Sequence, residues 1–413
     1  MKVFKFGGAS IKDVQSIERL PGIISNNSDN DLIIVVSALG KTTNKIETIV
    51  NKAFKHDLYS DELSSLKDVH LQMYRELVGH DCQDLLKLFD DFEHKIITTN
   101  KSNYDYFYDQ IVSYGEQFSS YMVYKYLCSK GFDIQLINAC DVVVSDENWR
   151  RGNVDEAETF RNIDRVLKEK TSQIIITQGF IAATRSRDVV TLGREGSDYS
   201  ASLFAAFSGA DELTFWKDVA GIYTSDPSVY EDAKLLDVIS YNEMVELSYF
   251  GAKILHKKTL SVLNDRNVVT KVKSFLSPDE PGTTLLKNID CMYPPLKILL
   301  KNQILITVQS KDKSIIAGND LQVVYNIAAK LKIDINLIQV SAIKISFCVT
   351  YNDNSFAALL DLLSNYFVLK YNNGMVLETI RHYTNDELVQ IISRSDVLLT
   401  QITRSVVQFV YRS

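Results

Sequence analysis

The run LIIVVSAL, residues 32–39, is apolar at nearly every position. A short run of this kind reads as a strand buried on both faces, not as one face of a helix. VFKF at residues 3–6 has the same character. Between them Ile11, Val14, Ile17 and residues 20–24 follow helical spacing, and SNNSDND at 25–31 turns the chain back. FDIQLINA, QIIITQGF and VVTLG repeat the strand pattern further on. Helical patterns occupy 44 to about 130, then 155–170 and 197–208. This alternation predicts an α/β fold with a mainly parallel sheet covered on both faces.

A chain of 413 residues has room for two or three domains. CMYPPL, residues 291–296, carries adjacent prolines and reads as a linker. The expected division is 1–290 and 297–413. Beyond the linker, ILITVQS, a helix at 321–330, INLIQV and ISFCVT form a β-α-β-β set. FVLKYNNGMVLETIRH, DELVQIIS and VLLTQITRSVVQFVYR follow as a strand pair, a helix and a second strand pair. These read as two small α+β modules, the second short.

A net charge of −7 argues against non-specific binding to nucleic-acid backbones. Cys82, Cys128, Cys140, Cys291 and Cys348 form no C-x-x-C pair and read as reduced core thiols of a cytoplasmic protein. Neither a leader segment nor a membrane-spanning apolar run is recognisable.

The strand at 3–6 runs into KFGGAS, residues 5–10. Gly7 and Gly8 let backbone approach a ligand closely, the N–H groups of the next helix attract an anion, and Lys5 adds a full positive charge. The same residues also suit a plain tight turn, with Ser10 and Asp13 as a capping box. GKT at 40–42 imitates the end of a P-loop, but Val35 stands where the first glycine belongs. Ser37, Thr42 and Thr43 still crowd the carboxyl end of a strand, where open α/β sheets place ligands. In TLGREGSDYSAS, residues 191–202, Ser197 reads as a helix cap and Asp198 suits the first turn. Capping does not explain Arg194, whose guanidinium fork suits a carboxylate or phosphate. In FWKDVAGIYTSDP, Trp216 and Tyr223 fit either a nucleotide cleft or a core. SYGEQFSS places Glu116 in a helical pattern, either facing solvent or buried against a cation.

Together these stretches resemble the aspartate kinases of the amino-acid-kinase superfamily. The matching pieces, in order, are KFGGAS, SALGKTTN, SYGE, GREGSDYSA, WKDVAGIYTSDP and ELSYFGAKILH, spanning Met1 to about Leu286. Beyond Ile298 the chain resembles that family's paired ACT regulatory modules. The resemblance implies a three-layer amino-acid-kinase fold followed by ferredoxin-like ACT modules. It implies transfer of the ATP γ-phosphoryl group to the side-chain carboxylate of L-aspartate, with Mg²⁺, as the first step toward lysine, threonine and methionine. Lys5 and Asp198 would be catalytic, Asp198 orienting Lys5. Ser37, Thr43, Glu116, Arg194 and Ser197 would bind aspartate, Arg194 taking its α-carboxylate and Glu116 its ammonium. Lys5, Gly7, Gly8, Ser10, Lys217, Asp218, Tyr223 and Lys253 would bind the nucleotide. No residue is assigned to a metal. ACT modules imply a homodimer or larger homo-oligomer and an amino-acid feedback effector.

The chain departs from the family at particular points. Glu195 replaces the middle glycine of GRGGSD, and Lys217 stands where threonine is common. Ser228 and Lys257 replace a usual arginine and proline. Asn336 and Ala342 replace acidic residues of the lysine-sensitive pattern, removing two partners for an effector ammonium. No G-x-G-x-x-G fingerprint of a fused homoserine dehydrogenase is present. Two other readings remain open: a kinase of the same fold acting on glutamate or acetylglutamate, and an inactive amino-acid sensor.

Overall fold

β1 (Lys2–Phe6) and β2 (Leu32–Val36) lie at the centre of a sheet with helices on both faces, which is why neither alternates apolar with polar. Leu32, Ile34 and Val36 enter one hydrophobic cluster with Phe4 and Phe6, while Ile33 and Val35 are buried outside that cluster. This computed structural model describes residues 1–27, 31–252, 254–264, 266–287, 289, 292–312 and 314–412, without the side chains of 353 and 354. The chain divides into two units. The first takes in Met1–Ile222, Leu235–Val245 and Ile254–Ile289, and the second Tyr223–Lys234, Glu246–Lys253 and Asp290–Ser413. The second therefore includes two segments that precede the linker.

In the first unit, β1 leads through α1 (Val14–Ile17) and α2 (Leu20–Ser25) to β2. Five helices follow: α3 (Thr42–Phe54), α4 (Ser60–Val78), α5 (Gln83–Thr98), α6 (Tyr104–Val112) and α7 (Tyr114–Ser129). Then come β3 (Ile134–Ile137), α8 (Glu156–Glu169), β4 (Ile174–Gln178), β5 (Ile181–Ala183), β6 (Val189–Thr191), α9 (Gly196–Phe207) and β7 (Glu212–Lys217). β8 (Val238–Ser240), α10 (Tyr241–Tyr249, of which Glu246 onward belongs to the second unit), α11 (Lys257–Asn264), β9 (Val269–Ser274) and β10 (Thr283–Leu286) complete the series. The sheet runs β3-β4-β2-β1-β7-β9-β10-β8, parallel at every pairing except β9 with β10. Helices α3 to α7 cover one face; α9, with α8 and α11 beside it, packs on the other against β1, β2 and β7. The expected three layers are present. β1 has earlier chain on one side and later chain on the other, so the carboxyl ends of β1, β2, β4 and β7 form the switch point where such sheets take ligands.

Three sequence expectations change. The helix expected over 11–24 is broken into a 3₁₀ turn (Gly8–Ile11), α1 and α2, because Asp13 starts a new helix and Pro21 can only open one. VVTLG contributes β6, which pairs with β5 in a separate two-stranded ribbon. Ser10 and Asp13 form no capping box: Asp13 itself is the cap and accepts from the Ser16 N–H at 2.8 Å.

The second unit contains β11 (Leu296–Ser310), α12 (Gly318–Lys330), β12 (Ile335–Val340), β13 (Ile345–Thr350), α13 (Asp353–Ser364), β14 (Phe367–Arg381), α14 (Asn385–Ser393), β15 (Val397–Ile402) and β16 (Val406–Arg412). They form one antiparallel sheet, β12-β13-β11-β14-β16-β15. The sequence reading missed α13 and divided β14 into a pair. The first module is a full β-α-β-β-α-β unit, from the later part of β11 to the first part of β14. The other halves of the same two strands pair with each other at 296–300 and 377–381, beside β16 and β15. The first module is thus nested inside the second. Segments 223–234 and 246–253 are tied to it by Tyr230 donating to Glu378 at 2.8 Å and by Arg381 with Glu246 at 2.7 Å.

Among the described residues, no helix is long and apolar enough to cross a membrane. Cys82, Cys128, Cys140 and Cys348 are free thiols; Cys82 and Cys348 are buried as expected, but Cys140 is half-buried and Cys128 is exposed and not a core residue, while Cys291 lies outside the described residues.

Gly179 follows β4, and a Cβ there would lie 2.6 Å from the Cβ of Ser197 at the start of α9. Gly179→Ala is expected to cost about 1–3 kcal/mol through this overlap, measured as a lower urea midpoint at unchanged slope. Gly22→Ala, with nothing within 4 Å of the new methyl, should be neutral or stabilising by up to about 1 kcal/mol.

Candidate active site

β1 carries two lysines, Lys2 at its start and Lys5 within it, and its two-residue period places Lys5. Phe4 and Phe6 point into the layer of α3 to α7, where Trp216 packs on them with centroids 5.6 and 6.2 Å away. Trp216 is therefore core and does not line a cleft. Lys5, between the two phenylalanines, points to the opposite face, under α9. Register pairs Lys5 with Phe215, so Lys217, two residues on, shares that face. Both lysines meet Asp198, in the first turn of α9 and only 2% exposed. The Nζ of Lys5 lies 2.6 Å from Oδ1, and the Nζ of Lys217 lies 3.2 Å from Oδ2. Lys217 also donates to the carbonyl of Ile254 at 2.7 Å. Burial pushes the Asp198 carboxyl toward its neutral form, but the ammonium groups of Lys217 and Lys5 outweigh this and hold it below the ordinary value. The expected pairing of Asp198 with Lys5 is present. Lys217, assigned to the nucleotide by resemblance, gives its ammonium to two protein groups.

The turns around this cluster are built for close approach. A Cβ on Gly8 would lie 2.8 Å from the carbonyl of Ala38, and the Gly40 N–H donates to the Gly8 carbonyl at 3.0 Å. A Cβ on Gly7 would lie 3.2 Å from the Lys5 ammonium, which therefore hangs directly over the turn. Gly8 and Ala9 open the 3₁₀ turn, so their N–H groups have no acceptor within it. Ser10 does not face this space: its hydroxyl is buried and donates to the Trp216 carbonyl at 2.7 Å. The residue preceding α9 is Glu195, in a left-handed conformation with φ 53° and no capping side-chain bond. Ser197 is thus the second helical residue and not the cap expected from sequence. The positive end of α9 faces the same cluster.

Glu116 lies in the first turn of α7 and is 3% exposed, against the solvent-facing alternative. One oxygen accepts weakly from the Ala38 N–H at 3.4 Å, and the other is buried without a partner. Burial raises its carboxyl to about 8, and the backbone N–H groups of Glu116 and Ala38 oppose this only in part. No cation offsets the burial. Gly115 lets α7 approach this loop: a Cβ there would lie 3.2 Å from that of Ala38 and 3.4 Å from Thr42. Ser37 and Thr43 are half-buried, and their hydroxyls are unbonded among the described residues. Thr42 is held instead, 3.5 Å from Nε2 of buried His70, whose Nδ1 meets the Leu66 carbonyl at 2.8 Å. Burial lowers that imidazole to about 4, so the ring is neutral and donates from Nδ1.

Arg194 is exposed and has no bonding partner among the described residues. Glu195 connects it to the cluster. Burial, then the charge of Asp198, raises the Glu195 carboxyl, while Lys217, Arg194 and Lys5 all act to lower it. Arg194 is the residue before Glu195 in the chain, and its charge and that of Lys5 both lower the Glu195 carboxyl. Asp218 is exposed just past β7. Tyr223 is half-buried in a segment of the second unit, and Lys253 lies outside the described residues.

Sequence reasoning missed two supports. Gly179 fits under Ser197, although its motif QGF was read only as a strand end. Asp109 of α6 is fully buried and accepts from the Arg150 N–H and the Thr191 hydroxyl, both at 2.7 Å. Burial raises its carboxyl to about 6 despite these bonds. It braces the loop behind Gly193, whose Cβ position lies 3.1 Å from the Arg150 carbonyl. The available signal was an acidic residue amid the apolar run of YFYDQIV.

Among the described residues, no group of three or more His, Cys, Asp or Glu is arranged to hold a metal ion. The nearby carboxylates, Asp198 and Glu195, already face three cationic side chains. The charge here suits phosphate and carboxylate ligands, not a protein-built cage for magnesium.

Comparison with known proteins agrees with this chemistry. The chain is 29% identical over 391 residues, 91% of its length, to a bifunctional aspartokinase/homoserine dehydrogenase of Buchnera aphidicola, covering 48% of that protein. It is 26% identical over 413 residues to aspartokinase 3, chloroplastic, of Arabidopsis thaliana, covering 96% of this chain and 73% of that one. The chain spans between about a third and a half of the bifunctional relatives it matches. It shares the fold of E. coli aspartokinase III, crystallised with aspartate and ADP, at 24% identity and a TM-score of 0.85, over 100% of this chain and 96% of that one. A family model described as the amino acid kinase family matches residues 1–274, the span that holds the lysine-clamped carboxylate and the strand-end turns, and the chain belongs to that family.

Proposed function

We propose that this chain transfers the γ-phosphoryl group of ATP to the side-chain carboxylate of L-aspartate, giving 4-phospho-L-aspartate and ADP. The observation that carries this reading is Glu116, a buried carboxyl without a cation, beside strand ends that otherwise gather positive charge. A substrate with an ammonium as well as carboxylates supplies the missing partner. The aspartokinase names of the relatives, and the aspartate and ADP of the E. coli structure, support the same reading.

The chemistry requires no general base. The attacking carboxylate has an unperturbed pKa near 3.9 and is ionised at neutral pH. A new P–O bond forms to it as the bond from the γ-phosphorus to the bridging oxygen breaks and leaves ADP. The obstacle is repulsion between anions, which positioned cations and N–H dipoles reduce. Lys5 stands over the transferring group, with Gly7, Gly8 and the start of α9 around the phosphates. Arg194 takes the α-carboxylate, Glu116 the ammonium, and Ser37, Thr43 and Ser197 line the acid's pocket. Asp218, Tyr223 and Lys253 are assigned to the nucleotide by resemblance alone. Mg²⁺ would come with the nucleotide, held by phosphate oxygens.

The second unit is read as an amino-acid-responsive ACT pair in a cytoplasmic homodimer or larger oligomer. Asn336 lacks the negative charge of the acidic residue it replaces: its amide nitrogen donates to Gln303 at 2.7 Å and to Thr350 at 3.0 Å, and only its neutral carbonyl oxygen could meet an ammonium. Adding lysine, threonine and methionine in turn to the assay, and sedimentation at micromolar concentration, test both parts. No inhibition by any of the three removes the effector, and a monomer removes the oligomer.

ADP release with aspartate, glutamate and N-acetylglutamate tests the reaction itself. Turnover is expected with aspartate; turnover with another acid alone reassigns the substrate, and none with any acid favours a sensor. Lys5→Ala is expected to lower kcat about 10²-fold or more. Arg194→Ala is expected to raise KM for aspartate and leave that for ATP unchanged.

Glu116 makes a pH-dependent prediction. Folding moves its proton affinity from 4.5 to about 8. Between those values the unfolded chain binds fewer protons, so this group's contribution to stability falls as pH rises. Glu116→Gln should therefore melt a few degrees above the wild type at about pH 8 and equal to it near about pH 4. Its affinity for aspartate should fall about tenfold or more. Equal melting at both pH values would show that Glu116 ionises against a partner inside the fold.

A further inference from the structure

We propose that Lys217 is a positioning residue for phosphoryl transfer: it keeps Asp198 paired through Oδ2, so that Lys5 can leave Oδ1 and follow the transferred group. This rests on the kinase reading above and assigns Lys217 a role other than nucleotide contact.

The two lysines are not equivalent. Lys217 is anchored twice, to Asp198 on α9 at 3.2 Å and to the Ile254 carbonyl before α11 at 2.7 Å. Lys5 has Asp198 as its one bonding partner among the described residues, at 2.6 Å, and its ammonium overhangs Gly7 and the free N–H groups of the next turn. Lys217 is thus the fixed cation and Lys5 the movable one.

A single lysine on a carboxylate this buried would resist transfer. Its departure would strand an unpaired charge out of water, which is among the costliest changes a protein interior can undergo. With Lys217 in place, Asp198 keeps a counter-charge throughout the turnover. Lys5 can then exchange one anion for another of higher charge. Among the described residues, the remaining charged groups near Asp198 are Glu195 and, beside it on the loop that opens α9, Arg194. Glu195 adds a negative charge to this space, and Lys217 adds a positive one. Without Lys217, the two carboxyl groups would compete for Lys5.

The test compares wild type, Lys217→Met and Lys217→Arg. The methionine variant is expected to lose about 10- to 100-fold in kcat, with KM for ATP and for aspartate within about threefold. Its acid limb of kcat should move to higher pH, because Lys217 is the main charge keeping Asp198 ionised. Lys217→Arg should recover most of the rate and the original acid limb. A raised KM for ATP at unchanged kcat would make Lys217 a nucleotide contact and overturn the proposal. So would an acid limb that stays in place. A second measurement does not need turnover. The melting gap between wild type and Lys217→Met should be widest near neutral pH and narrow as the pH falls into the acid range, as Asp198 protonates in the variant first. A gap independent of pH overturns the linkage between Lys217 and Asp198. Wild type that makes no ADP with any acid instead defeats the kinase reading, and the melting gap still decides the linkage.

Discussion

A carboxylate removed from water must keep a counter-charge, and the first unit is organised around meeting that requirement at Asp198. Its two oxygens face two ammonium groups from neighbouring strands, β1 and β7. That geometry fixes the register of the strands, because Lys5 and Lys217 reach the same residue only when Lys5 pairs opposite Phe215. It also fixes where α9 begins, since Asp198 must sit in its first turn. Gly179 and Gly8 then follow as consequences, each standing where a methyl group would push a backbone away from the cluster. The apolar residues on the far side, Phe4, Phe6 and Trp216, hold the strands that carry the lysines.

Much of this was legible in the sequence because buried parallel strands have no polar face. LIIVV and IIITQ identify themselves by continuity, and Lys5 stands out as the one charge in VFKF, residues 3–6. What was not legible depended on partners distant in the chain. Nothing in SYGEQ says whether Glu116 meets water or a loop some 78 residues earlier. Ser197 looks like a cap because serine before a helical run usually is one, but Glu195 begins the helix two residues sooner. The stretch KYNNGM, residues 370–375, reads as a hairpin turn, yet the chain continues straight through it as β14. Gly374 has φ 66° at this point, and its neighbour strand shows irregular pairing around Asn302, at φ 56°. Turn residues here make a bulge in a long strand. α13 escaped notice because its apolar run AALLDLL is too short to show a helical period against the strands around it.

Glu195 shows how a local rule yields to the site. Left-handed backbone at a residue with a Cβ carries a cost on the order of 1–2 kcal/mol, which glycine avoids. The chain keeps a glutamate there, and the charges of Lys217, Arg194 and Lys5 oppose the rise that burial gives its carboxyl. Strain in the backbone is thus accepted where a side chain contributes charge. Asp109 is the comparable case for burial: leaving water raises its carboxyl to about 6, and in return it holds the Arg150 and Thr191 segments together.

The second unit carries a different consequence. β11 and β14 each run for 15 residues, and each serves one module with its first half and the other with its second. No linker separates the two modules, so neither can rotate as a free body. A tilt or slide imposed at one end of these strands is transmitted along a continuous backbone to the other end. The pair behaves as a single lever, and a small molecule pressing on either half would be felt by both.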